Sequence, residues 1–402
     1  MPKVTEYPAA TALSSTDKIY GVVGGVSSSL TPEALGQELT GVIDVKRDYD
    51  AVGDGVADDT TAVQAAIDQA ETNAASDPTT GPAIVFYPAG KYLLGQITLR
   101  PRVWLVGAGP QATCFKAKDN LNDHLFLSED FATLTGTTNW LVSQGVPTYL
   151  GFFNCRIDGN KANQTAGDGI RMFSKAIFME NVIVHSCFGN GVYTEAGETA
   201  GQAGWPDYPE GRIGFLQTAS NGGHGWHMRG PHDIYCDRVT SWLNTGDGMR
   251  LESSSGSYLA TADFNILQCY SNGGRALYGV DSSFRASLMR LENSDQEGLY
   301  LQNCDHCQFG TVHLFDNGRV SGSYQGVIDA SSNYNGLSVA IVRRAGRTAA
   351  GGLQVAGGNN KVGAVIRGDV TGGGNSTGVG LDVPGGAQHN NIDAVVDRKS
   401  VV

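Results

Sequence analysis

From about residue 150 the chain repeats one pattern. A glycine-marked turn precedes a short run that alternates apolar and polar residues: "GDGIRM" at 167, "GNGVYT" at 189, "HGWHMR" at 224, "GDGMRL" at 246, "GGRALYG" at 273 and "QEGLYLQ" at 296. Alternation with a period of two marks a strand with one buried face. Ile170 and Met172, Val192 and Thr194, Trp226 and Met228, Met249 and Leu251, and Leu299 and Leu301 then point inward. Successive glycines are 23 residues apart from Gly225 to Gly248, 26 to Gly274 and 24 to Gly298. The step from Gly191 to Gly225 is 34, one such period plus an insertion of about ten. "NGRVSG" begins another turn near 317, and weaker copies continue to about 395.

A period near 24 with several short strands per copy is a solenoid signature. A leucine-rich repeat shares the period but needs a regular Leu and Asn framework that this chain lacks. No copy carries a helical pattern. The spacing therefore predicts an all-β fold, a parallel β-helix whose coils stack strand on strand at roughly 4.8 Å.

The N-terminal part reads differently. Residues 1–41 contain a strand-like run, "KIYGVVGG", and "SLTPEALGQEL", which predicts one short helix begun by Thr31 and Pro32. That segment is too small for its own core and is expected to pack on something larger or to attach the chain to a partner. Residues 42–119 open with a strand, "GVIDVKRDY", followed by the acidic, glycine-rich loop "DYDAVGDGVADD". A helix from about Thr60 to Ala74 follows, with Asp59 as N-cap and Ala62, Val63, Ala66, Ile67 and Ala70 as its apolar stripe. A helix laid across the first coil would cover an open sheet edge and an open core. The loop lacks the Lys-Ser or Lys-Thr of a phosphate-binding loop, and "DGVADD" lacks the glutamate that closes a standard calcium loop. Two strands, "AIVFYPAGKYLL" and "QITLRPRVWLVGAG", lead to the repeats of 120–400.

Composition sharpens this picture. The chain has 402 residues, 55 of them Gly, with 41% hydrophobic and only 17% charged residues. A net charge of -12 argues against non-specific nucleic-acid binding but leaves room for a local basic patch and an acidic glycan. No run of 18 apolar residues and no basic-then-apolar leader appears, so neither membrane insertion nor a secretory signal is expected. The seven scattered Cys fit buried thiols in a chain made in a reducing compartment. "CDHC" at 304–307 has no second pair to complete a zinc site, and no cofactor or metal is expected.

The opening loop and helix carry a resemblance. "DYDAVGDGVADDTTAVQAAI" resembles the lead-in motif of the pectate-lyase-like right-handed β-helix family, with Asp50 where that pattern usually has Gly. "FYPAGKYLL" resembles the family's Phe-Pro-x-Gly-x-Tyr at 86–92. The likeness runs over about 42–400. It implies a right-handed parallel β-helix with an N-terminal capping helix, and an enzyme that cuts, eliminates or epimerises polysaccharides. Bacteriophage tailspikes belong to the same group, which implies a homotrimer acting on a bacterial surface polysaccharide. Residues 1–41 resemble virion-attachment leaders, which implies a location in the phage tail and contact with other tail components.

The outward positions hold the candidate chemistry. Stacked in register, they form one column of Arg171, Tyr193, His227, Arg250, Leu277 and Tyr300, and a second of Glu195, Arg229, Glu252, Gly279 and Gln302. Such a face is either sugar-binding or an ordinary solvated surface. As a glycoside hydrolase, the first choice, it would use Glu195 and Glu252, two rungs or roughly 9.6 Å apart, within side-chain reach of inverting geometry. Arg229 between them favours their charged forms. The turn acids Asp247, Asp168 and Asp295 are alternatives, although a turn Asp commonly bonds its own backbone. As a lyase, it would use His227 as base, with Arg229, Arg250 and Tyr193 around a uronic carboxylate. His224 in "GGHGWH" echoes the Gly-His-Gly of polygalacturonase-like enzymes, whose Asn-Thr-Asp and Asp-Asp are missing. "GPHD" at 230–233 resembles epimerase sites, but Gly230 stands where those have an acid. The insertion near 196–212 brings Trp205, Tyr208, Asp207 and Glu210 toward this face as a sugar-binding wall. A third reading is a non-catalytic β-helix adhesin or virion part.

Overall fold

The computed structural model describes residues 19–23, 26–30, 42–76, 81–136, 148–174, 176–196, 211–253, 259–319, 324–343, 351–368, 380–384, 387 and 389–397. The expected helix in 31–41 and the insertion residues Trp205, Asp207, Tyr208 and Glu210 lie outside them.

The repeats form a parallel β-helix. Among the described residues, an 11-stranded sheet holds the short strands and a 16-stranded sheet holds the long ones. One coil runs from the short strand Trp226–Arg229, through a turn, to the long strand Ile234–Trp242, and around a corner to Met249–Glu252. Every pairing between coils is parallel and in register over the centre of the molecule. Ile170, Val192, Trp226, Met249, Leu277 and Leu299 stack in one file, all fully buried. The inward Thr194 is buried too; its hydroxyl accepts the Trp226 indole N–H at 3.0 Å, which removes the cost of hiding a polar group.

The corners explain the asparagines. Asn221 donates its side-chain N–H to Asn244 Oδ1 at 2.9 Å, and Asn244 donates to Asn272 Oδ1 at 3.0 Å, all three buried. Each amide also accepts a main-chain N–H, so a polar ladder satisfies the turn backbone inside the solenoid. All seven cysteines are free and buried, as expected of core thiols.

One rung differs from the expected columns. Leu277 pairs with Met249 and Leu299 and points inward, so Tyr278 takes its place on the outer column, and Val280 replaces Gly279 in the second. The cause is the corner "NGGRA". Gly274 bonds to Gly246, and Ala276 occupies the site that Gly248 fills one coil earlier. Counting from Gly274 therefore shifts the strand.

The N-terminal strand "GVIDVKRDY" is also shorter than expected. Only Val42–Asp44 is strand, and Val45–Tyr49 is a short helix, because the Asp44 carboxylate accepts the N–H groups of Lys46 and Arg47 as an N-cap. Asp50 ends it with φ 58, the left-handed conformation that glycine usually fills. In the loop, Asp54 accepts from Val56 and Ala57, and Asp58 pairs with Lys118 at 2.7 Å. Asp59 accepts Val63 N–H through its carbonyl, as an N-cap residue does, but its carboxylate turns back to the N–H groups of Val52 and Gly53. The acids thus fold the loop itself. The helix Thr60–Ser76 buries Val63, Ala66, Ile67, Ala70 and Ala74 against the first strands of both sheets.

In the N-terminal segment, Ile19–Val23 and Val26–Leu30 form an antiparallel pair outside both sheets.

Candidate functional site

The outer face of the short-strand sheet brings the expected residues together. Arg171, Tyr193, His227, Arg250, Tyr278 and Tyr300 are register partners on successive strands, and Glu195, Arg229, Glu252, Val280 and Gln302 form the parallel file. Flat rings and cations alternate. The Arg171 guanidinium lies over the Tyr193 ring at 4.1 Å and over Phe131 at 4.6 Å. Arg250 lies over Tyr278 at 4.9 Å, and Arg275 over Tyr278 at 4.4 Å and Tyr300 at 4.5 Å.

Glu252 is the centre of the charged cluster. Arg250 donates its Nε to Glu252 Oε2 at 2.7 Å, with its NH2 at the same distance. His227 Nε2 is 3.0 Å and Arg229 Nε 3.6 Å from Glu252 Oε1. Burial opposes ionisation of this carboxyl, but His227 and Arg250 outweigh it and hold its pKa at about 2. The group is a permanent carboxylate at neutral pH.

Glu195 is on the expected file but not at the surface. It is fully buried beneath the segment that follows the short helix Phe131–Leu134. Its Oε1 accepts Gly136 N–H at 2.6 Å, and its Oε2 accepts the hydroxyls of Thr135 at 2.9 Å and Tyr193 at 2.7 Å. Arg229 NH1 is 3.6 Å away. Arg229 therefore bridges the two glutamates, as the spacing predicts. Burial and the neighbouring Glu195 charge raise the Tyr193 pKa well above its usual range, which keeps the phenol protonated.

The turn acids do not bond their own turn. Asp247 Oδ1 accepts Arg275 N–H on the next coil at 2.7 Å, and Asp168 Oδ1 accepts Asn190 N–H at 2.6 Å. Each is partnered by a histidine of the previous coil. His224 Nδ1 accepts Asp247 N–H at 2.9 Å, and His124 Nδ1 accepts Asp168 N–H at 3.0 Å. The nitrogen that accepts is unprotonated, in keeping with burial lowering the His224 pKa to about 4 against the pull of Asp247. His224 and His227 meet edge to face at 5.4 Å. His232 of "GPHD" is buried, with Nδ1 3.0 Å from Gly230 O.

Three contributors were not foreseen. Tyr278 was hidden by the shifted rung. Arg275, which also pairs with Glu297 at 2.9 Å, sits in a corner rather than a strand. The 131–136 segment precedes the glycine-marked pattern that is legible from about residue 150, and nothing in its composition marks it as a cover for Glu195.

These features define a parallel β-helix with a charged and aromatic strip along one sheet. The family model described as "Rhamnogalacturonase A/epimerase, pectate lyase-like" matches residues 42–274, and the chain belongs to this pectate-lyase-like family. Over 128 residues, 30% of this chain, it is 30% identical to the mannuronan C5-epimerase AlgE3 of Azotobacter vinelandii, but this spans only 6% of that protein. Alginate lyase 7 of the same organism is 31% identical over 125 residues, 13% of its length. In three dimensions the A-module of the A. vinelandii epimerase AlgE6 superposes with a TM-score of 0.61 at 18% identity, covering 89% of this chain and all of that one. ORF18 of Geobacillus virus E2 superposes with a TM-score of 0.51 at 17% identity, covering 96% and 69%. The fold is the right-handed parallel β-helix, and the family is one of polysaccharide-modifying enzymes.

Proposed function

We propose that the strip binds a uronic-acid polysaccharide and removes the proton at C5 of a uronate residue, as a lyase does. The observation that carries this reading is the ionised Glu252 held among His227, Arg229 and Arg250. A hydrolase needs one protonated carboxyl as general acid. Glu252 is ionised, and the fully buried Glu195 is spent on Gly136, Thr135 and Tyr193. The pair therefore lacks the acid, and the lyase reading takes precedence over the hydrolase.

In this scheme the Glu252 carboxylate, 3.0 Å from His227 Nε2, draws the ring proton to that nitrogen and leaves the other nitrogen unprotonated. That nitrogen takes the C5 proton. Arg229 and Arg250 stabilise the charge that develops on the uronate carboxylate. The electron pair left at C5 forms a double bond to C4, the C4–O bond breaks, and the leaving oxygen takes a proton from water. Arg171, Tyr278, Tyr300 and Arg275 extend the binding strip along the solenoid, while the buried Tyr193 backs it from beneath the 131–136 segment. The partial identity to proteins named epimerase and alginate lyase supports a uronate substrate.

The test is incubation with a panel of polyuronates in deuterated water. New ultraviolet absorbance from the unsaturated end establishes elimination. Deuterium at C5 without absorbance establishes epimerisation at the same centre. New reducing ends with neither signal would establish hydrolysis and overturn the reading.

The character of residues 1–41 supports a second element of the reading, a homotrimer carried on a virion tail. Light scattering of the full chain checks the trimer: a monomer excludes it.

A further inference from the structure

A second recess lies around the turn from the strip. It is an open hollow of about 350 Å³ lined by Asp233, Thr261, Asp263, Ser283, Arg285 and His306, with Ala262 at its base. It sits where the long strands Ile234–Trp242, Ala260–Tyr270, Ser282–Glu292 and Gln308–Phe315 begin, so its walls come from four successive coils. Asp233 follows the strip's Arg229 by one short turn, but it belongs to the other sheet's side of the coil.

The polar groups of this hollow are unspent. Asp263 and Arg285 are register partners on neighbouring strands, yet they form no ion pair with each other. Among the described residues, the side chains of Asp233, Asp263, Arg285 and Ser283 make no hydrogen bond or ion pair, and all four are exposed or half-buried. Elsewhere on this surface, adjacent opposite charges do meet, as Arg212 and Asp237 do. Thr261 Oγ1 accepts Asp233 N–H at 3.3 Å, which leaves its own proton to give. One wall ends in a flat platform, where the exposed His306 ring stacks on the exposed Tyr334 ring at 5.2 Å and 11°.

We infer that this hollow is a second carbohydrate site, for an uncharged hexose unit. Its volume is that of a small-ligand pocket. Two carboxylates accept from sugar hydroxyls, a guanidinium and two side-chain hydroxyls donate, and a stacked ring pair offers a face for the apolar side of a pyranose. The charge balance excludes the strip's own ligand: two carboxylates against one guanidinium repel a uronate. A metal ion fits no better, since Arg285 stands on the strand beside Asp263. The inference rests on the hollow and not on the chemistry proposed for the strip. An enzyme with both sites would hold a heteropolysaccharide by its neutral units or branches while acting on its acidic ones.

The experiment is calorimetric titration of the full chain with neutral oligosaccharides of glucose, galactose, mannose and rhamnose, and separately with uronate oligosaccharides. At least one neutral oligosaccharide is expected to bind. The double variant Asp263→Asn, Arg285→Gln is expected to weaken it tenfold or more and leave uronate binding unchanged. Glu252→Gln is expected to leave neutral binding unchanged. Both positions of the double variant are exposed, so its circular dichroism should match the parent. The inference is overturned if no neutral oligosaccharide binds the parent chain, if the double variant binds as the parent does, or if Glu252→Gln abolishes neutral binding. Failure of uronate binding alone overturns only the function proposed for the strip.

Discussion

The Tyr193 hydroxyl donates to Glu195 Oε2 at 2.7 Å, and both residues are buried under the 131–136 segment. A carboxylate taken fully out of water persists only where donors replace its hydration. Glu195 has three, with the Arg229 guanidinium beside them. Its role follows from that: it fastens the segment to the solenoid and sets Arg229 between the two glutamates. Glu195→Ala is expected to cost about 3–5 kcal/mol, because it strands buried donors and a cation. Chemical denaturation measures it. A change below about 1 kcal/mol would mean that the contacts are not made in solution.

Glu252 sits on the same file two strands away but is partly open to solvent, with side-chain exposure of 20%. Glu252→Gln removes the charge that orients His227 and keeps the shape. The expected outcome is a fall in turnover of roughly 10²–10⁴-fold, the usual worth of a positioned acid–base system, with little change in thermal midpoint. His227→Gln should fall as far, and the double variant no further, since the two act as one unit. Steady-state kinetics on the polyuronate that is turned over decides this. Additive losses would separate the two residues.

Acid should loosen the fold in two stages. His224 and His124 are held neutral by burial, each accepting a main-chain N–H. Below the ordinary value of 6.5 the unfolded chain takes up protons there that the native chain refuses. For His224, stability therefore falls between about pH 6.5 and 4, by at most about 3 kcal/mol. Glu252 acts in the same sense at lower pH, with its pKa depressed from 4.5 to about 2. Its contribution is present above pH 4.5 and is lost as pH falls toward 2. His224→Asn keeps an acceptor for Asp247 N–H and should flatten the first stage only. Thermal midpoints from pH 8 to 3, taken on both chains, test this; identical curves would exclude His224.

Much of this arrangement was legible in the repeat. A period-two pattern behind glycine corners fixes which side chains face out, and the register follows once coils stack. Every inward pair from Ile170 to Leu251 was readable this way. Tyr278 was not, because a corner with two glycines and an alanine offers two ways to count, and only the bonds between coils choose one. The roles of Glu195 and Asp247 were unreadable for another reason. Alternation reports direction, not what lies above: a segment some 60 residues earlier covers Glu195, and a histidine one coil back holds Asp247. Asp44 as a helix cap was hidden by an apolar-polar run that reads equally as strand.

The helix Thr60–Ser76 carries the last expectation. Its fully buried Ile67 belongs to the same continuous core as Val85, Leu105 and Phe126 of the first coils. In a solenoid each coil is stabilised by its neighbours, so the terminal one depends on whatever covers it. Ile67→Ala leaves a cavity where that cover meets the core and should cost about 2–5 kcal/mol. If the helix serves as the cap, the loss should first appear at the N-terminal end. Hydrogen exchange would then show amides of Val42–Asp44 and Ala83–Tyr87 opening well before those of Ile234–Trp242. Uniform loss of protection along the chain would instead mean that the solenoid unfolds as one unit and the helix is no separate cap.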